Sequence, residues 1–220
     1  MVTGGVVAVV DVLRFTTAVE AAVSRGVAVY PWRWRDESAG EFARAVDAHL
    51  ADGKPGAASL SPGSLAALDP GSRVVLPSPN GGACAVTAAE RGLSVVAACL
   101  RNAPAVASWL LQHGGSVTVI ACGERWPDGS LRPSLEDLIG AGAVLAGLGG
   151  KPSPEARAAI AVWHDSEHRL EETLASCASG REQELRGWTD DLRYASQFDV
   201  SPVVPMLIDG AFRDGNTIVG

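Results

Sequence analysis

The sequence is most informative first for what it lacks. It has only two lysines, Lys54 and Lys151, and no run of about 18 apolar residues free of glycine or charge, the length a membrane-crossing helix requires. No charged-then-apolar leader precedes the first apolar run, so the expectation is a soluble cytoplasmic protein without a membrane partner. The net charge of −7 excludes a general nucleic-acid binder, because no excess of cations is present to neutralise phosphates along a duplex. The four cysteines, Cys84, Cys99, Cys122 and Cys177, show no CxxC spacing and lie among apolar neighbours, the pattern of buried free thiols. Neither a P-loop nor a GxGxxG fingerprint occurs. His164 and His168 are four apart, but Asp165 stands where an H-E-x-x-H motif has Glu, and zinc is not expected.

What is present is alternation. The chain of 220 residues, 47% hydrophobic, can bury a sizeable core. "GVVAVVDVL" reads as a strand buried on both faces, followed by the helical "TTAVEAAVSRG", in which Thr17 and Glu20 fit a capping box. "VAVYPWRW" is a second strand, and "DESAGEFARAVDAHLADG" a helix ending at Gly53. A long Gly/Pro/Ser-rich loop follows, and then strand and helix alternate again up to Gly150. The rest is mostly helical until "VSPVVPMLIDGAF", one last apolar strand. This order predicts an α/β fold, three-layer α/β/α with a mostly parallel or mixed sheet and a helix-rich C-terminal portion. Residues 1–220 are expected to form a single domain, with 151–200 the segment that would make a second lobe.

In such folds ligands bind beyond the carboxyl ends of strands, and the notable polar residues fall at four such junctions. Asp11 and Arg14 follow the first strand. They fit either a structural ion pair or a hard oxygen ligand (or nucleophile) beside an oxyanion-gripping guanidinium. The D-x-D of haloacid-dehalogenase-type phosphatases is absent, because residue 13 is Leu. "SPNGGACA" is a strand-to-helix turn whose Asn80, Gly81 and Gly82 could expose N–H groups to an anion, or could be a plain turn. "LRN", containing Arg101 and Asn102, follows a fourth strand. "RPSLEDLIGAG" starts a helix that Ser134 can cap. Glu136 and Asp137 there either complement the helix dipole or turn inward to a divalent metal. The small residues behind them allow close packing on the sheet.

Together, "VVDVLRFTTAVEAAVSRG", "LSPGSL", "SPNGGACAV", "RNAPAVASWL", "SLEDLIGAGAVLAGL" and the C-terminal "SGREQELRGWTDDLRYASQFDVSPVVPML" resemble, in that order, the 2-phosphosulfolactate phosphatases, over nearly the whole chain. The resemblance implies a magnesium-dependent phosphatase releasing sulfolactate and phosphate from 2-phospho-3-sulfolactate, in some organisms a step of coenzyme M biosynthesis. It implies Mg²⁺ held by Asp11 with Glu136 or Asp137. Phosphate would be held by Arg14, Asn80, Gly81, Gly82 and Asn102. Ser61, Arg101 and Arg181 would take the rest of the small anionic substrate, with Asp191 orienting Arg181. The nucleophile is either a metal-bound water or Asp11, and a homodimer is compatible with the resemblance. The chain departs from the family pattern at Leu60, where Asn is frequent, at Ser78-Pro79, where Thr-Thr is common, and in a first strand that begins almost at Met1. The rival expectations are a phosphatase of the same scaffold for another small phosphorylated hydroxy acid, and a non-catalytic metabolite-binding domain.

Overall fold

The computed structural model describes residues 5–54, 58–113 and 115–217. The all-apolar strand β1 (Val6–Val10), next to one edge of the main sheet, is buried on both faces. Because successive side chains point to opposite faces, β1 serves two cores at once. Val6, Ala8 and Val10 pack with Val106, Trp109, Ile139 and Trp163 on one side. Val7 and Val9 pack with Phe15, Val19, Val74 and Phe212 on the other. Helices therefore cover both faces, and the fold is the three-layer α/β/α arrangement.

Around β1 the chain forms α1 (Phe15–Val23), β2 (Ala28–Trp32), α2 (Glu37–Ala45), β3 (His49–Leu50), α3 (Pro62–Ala66), β4 (Arg73–Pro77), α4 (Gly81–Glu90), β5 (Ser94–Ala98), α5 (Ala103–His113) and β6 (Val117–Ala121). The two-residue strands β7 (Glu124–Arg125) and β8 (Leu131–Arg132) pair as a small ribbon, and α6 (Leu135–Leu148) follows. Four more helices, α7 (Pro154–Ser166), α8 (Leu170–Ser176), α9 (Ala178–Leu185) and α10 (Thr189–Ala195), precede β9 (Pro205–Ile208) and β10 (Ala211–Asp214). Trp163, Leu170, Leu174, Leu192 and Ala195 of this helical stretch belong to the same core as β1. No described helix is long and apolar enough to cross a membrane.

The main sheet runs β3-β4-β2-β10-β9-β5-β1-β6. It is mixed in a way the sequence pattern did not predict. The tail forms a hairpin instead of one strand, because Asp209 (φ 49°) and Gly210 (φ 79°) make a tight left-handed turn between β9 and β10. The hairpin lies between β2 and β5 and is antiparallel to both. Parallel pairs therefore form two groups, β3-β4-β2 and β5-β1-β6, whose strands run in opposite senses. The segment after β4 nevertheless returns to β1, where the Gly81 N–H meets the Asp11 carboxylate.

Two local expectations are corrected. α2 ends at Ala45, not at Gly53: Asp47 adopts φ 51°, which breaks the helix, and His49–Leu50 then adds an edge strand to β4. The capping box of Thr17 and Glu20 does not form, because α1 starts at Phe15. Thr17 instead donates its hydroxyl to the Val12 carbonyl, and Glu20 is taken by a distant arginine. α1 is buried on every side. Phe15 and Phe212, both inaccessible, meet edge to face at 6.3 Å between centroids, and burying each ring stabilises the fold by about 1.5–3 kcal/mol. The small-residue stripe of α6 lets it approach both neighbours: a Cβ on Gly140 would come within 2.8 Å of Val10 and Val12, and one on Gly142 would collide with the Ala159 carbonyl of α7.

Candidate active site

The loop that leaves β1, residues 11–14, carries two groups of side chains. The first is a buried set of acids. Asp11 is 5% exposed, and its two carboxylate oxygens accept the N–H of Phe15 at 3.1 Å and that of Gly81 at 2.9 Å. Its own backbone is tied to Thr16, whose hydroxyl accepts the Asp11 N–H at 2.9 Å and donates to the Asp11 carbonyl at 2.8 Å. Asp137, 3% exposed, accepts the Val12 N–H at 2.8 Å and the Gly123 N–H at 2.9 Å. α6 is thereby bound to the ends of β1 and β6. Glu136, also 3% exposed, takes the Cys177 thiol at 3.4 Å.

Burial is the main reason the Asp11 pKa rises from 3.8 to about 6; the two N–H donors oppose that rise, and the charges of Glu124 and Glu136 add to it. Burial followed by the Asp11 and Glu136 charges drives Asp137 well above the carboxylate range. Burial, with Glu136 nearby, also raises the Cys177 thiol to about 12, and burial does the same for Cys99. All four cysteines are free.

The second group surrounds Arg14, which follows a cis Leu13–Arg14 peptide bond. Arg14 does not pair with Asp11. Its Nη1 donates to Asp191 Oδ2 at 2.5 Å, and its guanidinium carbon lies 3.8 Å from the Trp188 ring centroid. Asp191 Oδ1 accepts the Ser61 hydroxyl at 2.5 Å. Desolvation lowers the Arg14 pKa, Asp191 opposes that, and the charges of Arg35 and Arg186 lower it further.

The tertiary structure thus brings Asp11, Glu136, Asp137, Asn80 and Gly81 into one group, and Arg14, Ser61 and Asp191 into the other. It gives several expected residues different work. The Gly81 N–H points at the Asp11 carboxylate, and Asn80 Nδ2 donates to Glu124 at 2.7 Å, so the turn holds acids in place. Glycine is required at 81 and 82 by close packing: a Cβ at 81 would lie 2.7 Å from Asp11 Oδ2, and one at 82 would lie 2.6 Å from the Trp32 carbonyl.

Asn102, fully buried, accepts the Cys99 N–H and donates to the Ala97 and Val203 carbonyls, which gives it a place in the backbone scaffold. Arg101 is held by Glu20 at 2.7 Å, lies over the Tyr194 ring and bonds Gln197. Arg181 is exposed and bonds the Ser176 carbonyl. Asp191 orients Arg14, not Arg181. His164 and His168 lie exposed at the surface, beside Glu167. Sequence reasoning missed Glu124, although it stands one residue after the Cys122-Gly123 strand end. Trp188 had no sequence signal.

The donor chemistry of the acid group suits magnesium. Mg²⁺ prefers oxygen ligands and is usually bound by one or two carboxylates plus substrate phosphate, not by an all-protein cage. No group of three His, Cys, Asp or Glu arranged to hold a metal occurs among the described residues. What is present is a set of mutually repelling buried carboxylates. Beside them at the start of α6, the Ser134 hydroxyl is buried and has no hydrogen-bond partner. A hydrated cation would relieve both.

A three-layer α/β/α fold that gathers carboxylates and an anchored arginine at strand ends belongs, as a class, with enzymes acting on small anions. Comparison with known proteins narrows the class. A family model described as 2-phosphosulpholactate phosphatase matches residues 2–210. A probable 2-phosphosulfolactate phosphatase of Thermus thermophilus is 33% identical over 213 residues, covering 92% of this chain and 87% of that protein. One of Deinococcus radiodurans is 30% identical over 214 residues, with the same coverage. One of Pseudothermotoga lettingae is 28% identical over 117 residues, half of that protein's length. The chain belongs to the 2-phosphosulfolactate phosphatase family, and it is accordingly a phosphoric monoester hydrolase.

Proposed function

We propose that the protein hydrolyses 2-phospho-3-sulfolactate to sulfolactate and phosphate with Mg²⁺ as cofactor, in the cytoplasm, and that in organisms making coenzyme M the reaction serves that synthesis. The observation that supports this best is the pairing, on one short loop, of a buried acid group at Asp11 and a clamped guanidinium at Arg14.

Phosphoryl transfer asks a protein mainly for positioning and for charge stabilisation at the equatorial oxygens. Asp11 with Glu136 or Asp137 would hold Mg²⁺, which supplies charge neutralisation at a phosphoryl oxygen. Arg14 takes charge on the remaining oxygens. Its rotamer is set from two sides, by Asp191, which Ser61 holds in turn, and by the Trp188 face. A guanidinium held in this way loses little further entropy on binding an oxyanion. Asp11, raised to about 6, is an anion at neutral pH that gains from a positive neighbour, as a metal ligand or nucleophile must.

The test is phosphate release from 2-phospho-3-sulfolactate, with and without Mg²⁺, alongside a panel of phosphorylated hydroxy acids lacking the sulfonate. Asp11→Asn is expected to lower kcat by about 10³-fold or more while the circular dichroism spectrum is retained. Near-wild-type turnover in that variant would defeat the assignment. Equal rates across the panel would move the substrate to another small phosphorylated acid.

A further inference from the structure

With Arg101 and Arg181 engaged elsewhere, the non-reacting part of the substrate lacks its expected receptor. Two further arginines, Arg186 in the C-terminal segment of the resemblance and Arg35 outside its segments, stand near Arg14. Arg186, in the turn between α9 and α10, has its guanidinium carbon 5.2 Å from the centroid of the same Trp188 ring that Arg14 faces at 3.8 Å. Arg35, in the β2–α2 connection, lines a cavity of about 710 Å³ together with Trp188, Leu60 and Pro77. That volume is ample for a three-carbon acid bearing several anionic groups. Both arginines are near enough to Arg14 for their charges to act on it.

Arg14 has its carboxylate partner in Asp191. Among the described residues neither Arg35 nor Arg186 has an acid within ion-pair distance. Two acids on the cavity wall are already engaged, Asp36 by the Ser38 N–H at the start of α2 and Asp52 by Lys54 at 2.6 Å. Glu37 remains, in the first turn of α2. Separate loops therefore bring Arg14 and Arg186 over one indole, and Arg35 to the wall of the cavity that this indole also lines. Arg35 and Arg186 are thus left with guanidinium donors that no described carboxylate clamps. Guanidiniums suit this work because their planar forks match the oxygens of small oxyanions.

We infer that Arg186, over the Trp188 ring, and Arg35, on the wall of the cavity that Trp188 lines, receive the second oxyanion of the substrate, a sulfonate or carboxylate next to the phosphoester carbon, and so set specificity. This rests on the reading above that the reacting phosphate lies between Arg14 and the Asp11 group. It makes the two arginines binding residues for the part of the substrate that does not react, distinct from the groups that stabilise the transferring phosphoryl.

Kinetics with Mg²⁺ on three substrates test it: 2-phospho-3-sulfolactate, 2-phospholactate and phenyl phosphate. Arg35→Gln and Arg186→Gln are each expected to raise KM for 2-phospho-3-sulfolactate about tenfold, with a smaller change in kcat. The ratio of its kcat/KM to that of phenyl phosphate then falls by a similar factor. A matching fall for 2-phospholactate identifies the carboxylate as the recognised group, and its absence identifies the sulfonate. Arg157→Gln, on α7, controls for net charge and leaves the ratio where it was. Equal losses on all three substrates, or none on any, overturn the inference.

Calorimetric titration of sulfoacetate into the same proteins reads the subsite without turnover. Absent phosphosulfolactate hydrolysis with sulfoacetate affinity weakened in both variants defeats the proposed substrate and upholds the subsite. Normal hydrolysis with unaltered sulfoacetate affinity defeats the subsite alone.

Discussion

Replacing Asp11 by Asn should stabilise the metal-free protein in a pH-dependent way while removing its activity. The folded state holds the Asp11 pKa at about 6 against an ordinary 3.8, chiefly through burial. Between those values the folded protein binds more protons at this site than the unfolded chain does. Stability is therefore fully retained below about pH 3.8 and lost as pH rises toward 6. The difference of about two units corresponds to about 3 kcal/mol of stability missing at pH 7.

An Asn cannot ionise, so the variant escapes this loss. It has a fixed penalty instead, because one of the N–H groups of Phe15 and Gly81 must face its amide NH₂, at a cost of about 1–3 kcal/mol. The absolute difference between the two proteins is thus small near neutrality, and its pH dependence is the diagnostic quantity. Urea unfolding in EDTA from pH 4 to pH 7.5 should show the stability of Asp11→Asn rising relative to wild type by about 3 kcal/mol. Asp137 acts in the same direction, since the Asp11 charge is one of the causes that raise it. Saturating Mg²⁺ should shrink the difference by stabilising the ionised wild-type site. A difference that stays flat with pH in EDTA would refute the view that Asp11 is an acid held out of water and awaiting a cation.

Two other substitutions probe the supports of the site. Glu20→Gln leaves Arg101 as a buried charge without its partner, which should cost about 3–5 kcal/mol and lower Tm by about 10 °C in a thermal melt; an unchanged Tm would show that the pair contributes nothing. Asp191→Asn frees Arg14 from its anchor, and kcat/KM for the phosphate ester should fall about 100-fold, mostly through KM, with a loss of Tm comparable to that of Glu20→Gln because a buried guanidinium again loses its partner; wild-type kinetics would mean that Trp188 alone orients the guanidinium.

The amino-acid sequence by itself determined the alternation of buried strands and helices, the burial of Val6–Val10 on both faces, and the presence of Asp11, Arg14, Asn80, Glu136 and Asp137 at strand ends or helix starts. These follow from periodicity and local chain chemistry, which act over a few residues. Only the tertiary structure decided partners. Asp191 meets Arg14 across 177 positions, Asp137 meets the Val12 N–H across 125, and Gly81 meets Asp11 across 70. No periodicity encodes such meetings. The tail read as one strand is a hairpin turning at Asp209-Gly210, and only its insertion between two parallel groups reverses one against the other, while the segment after β4 returns to the acid of β1. The same limit explains Arg101 and Asn102, whose residue types suited an anion but whose neighbours in space, Glu20 and the backbone carbonyls of Ala97 and Val203, engaged them first.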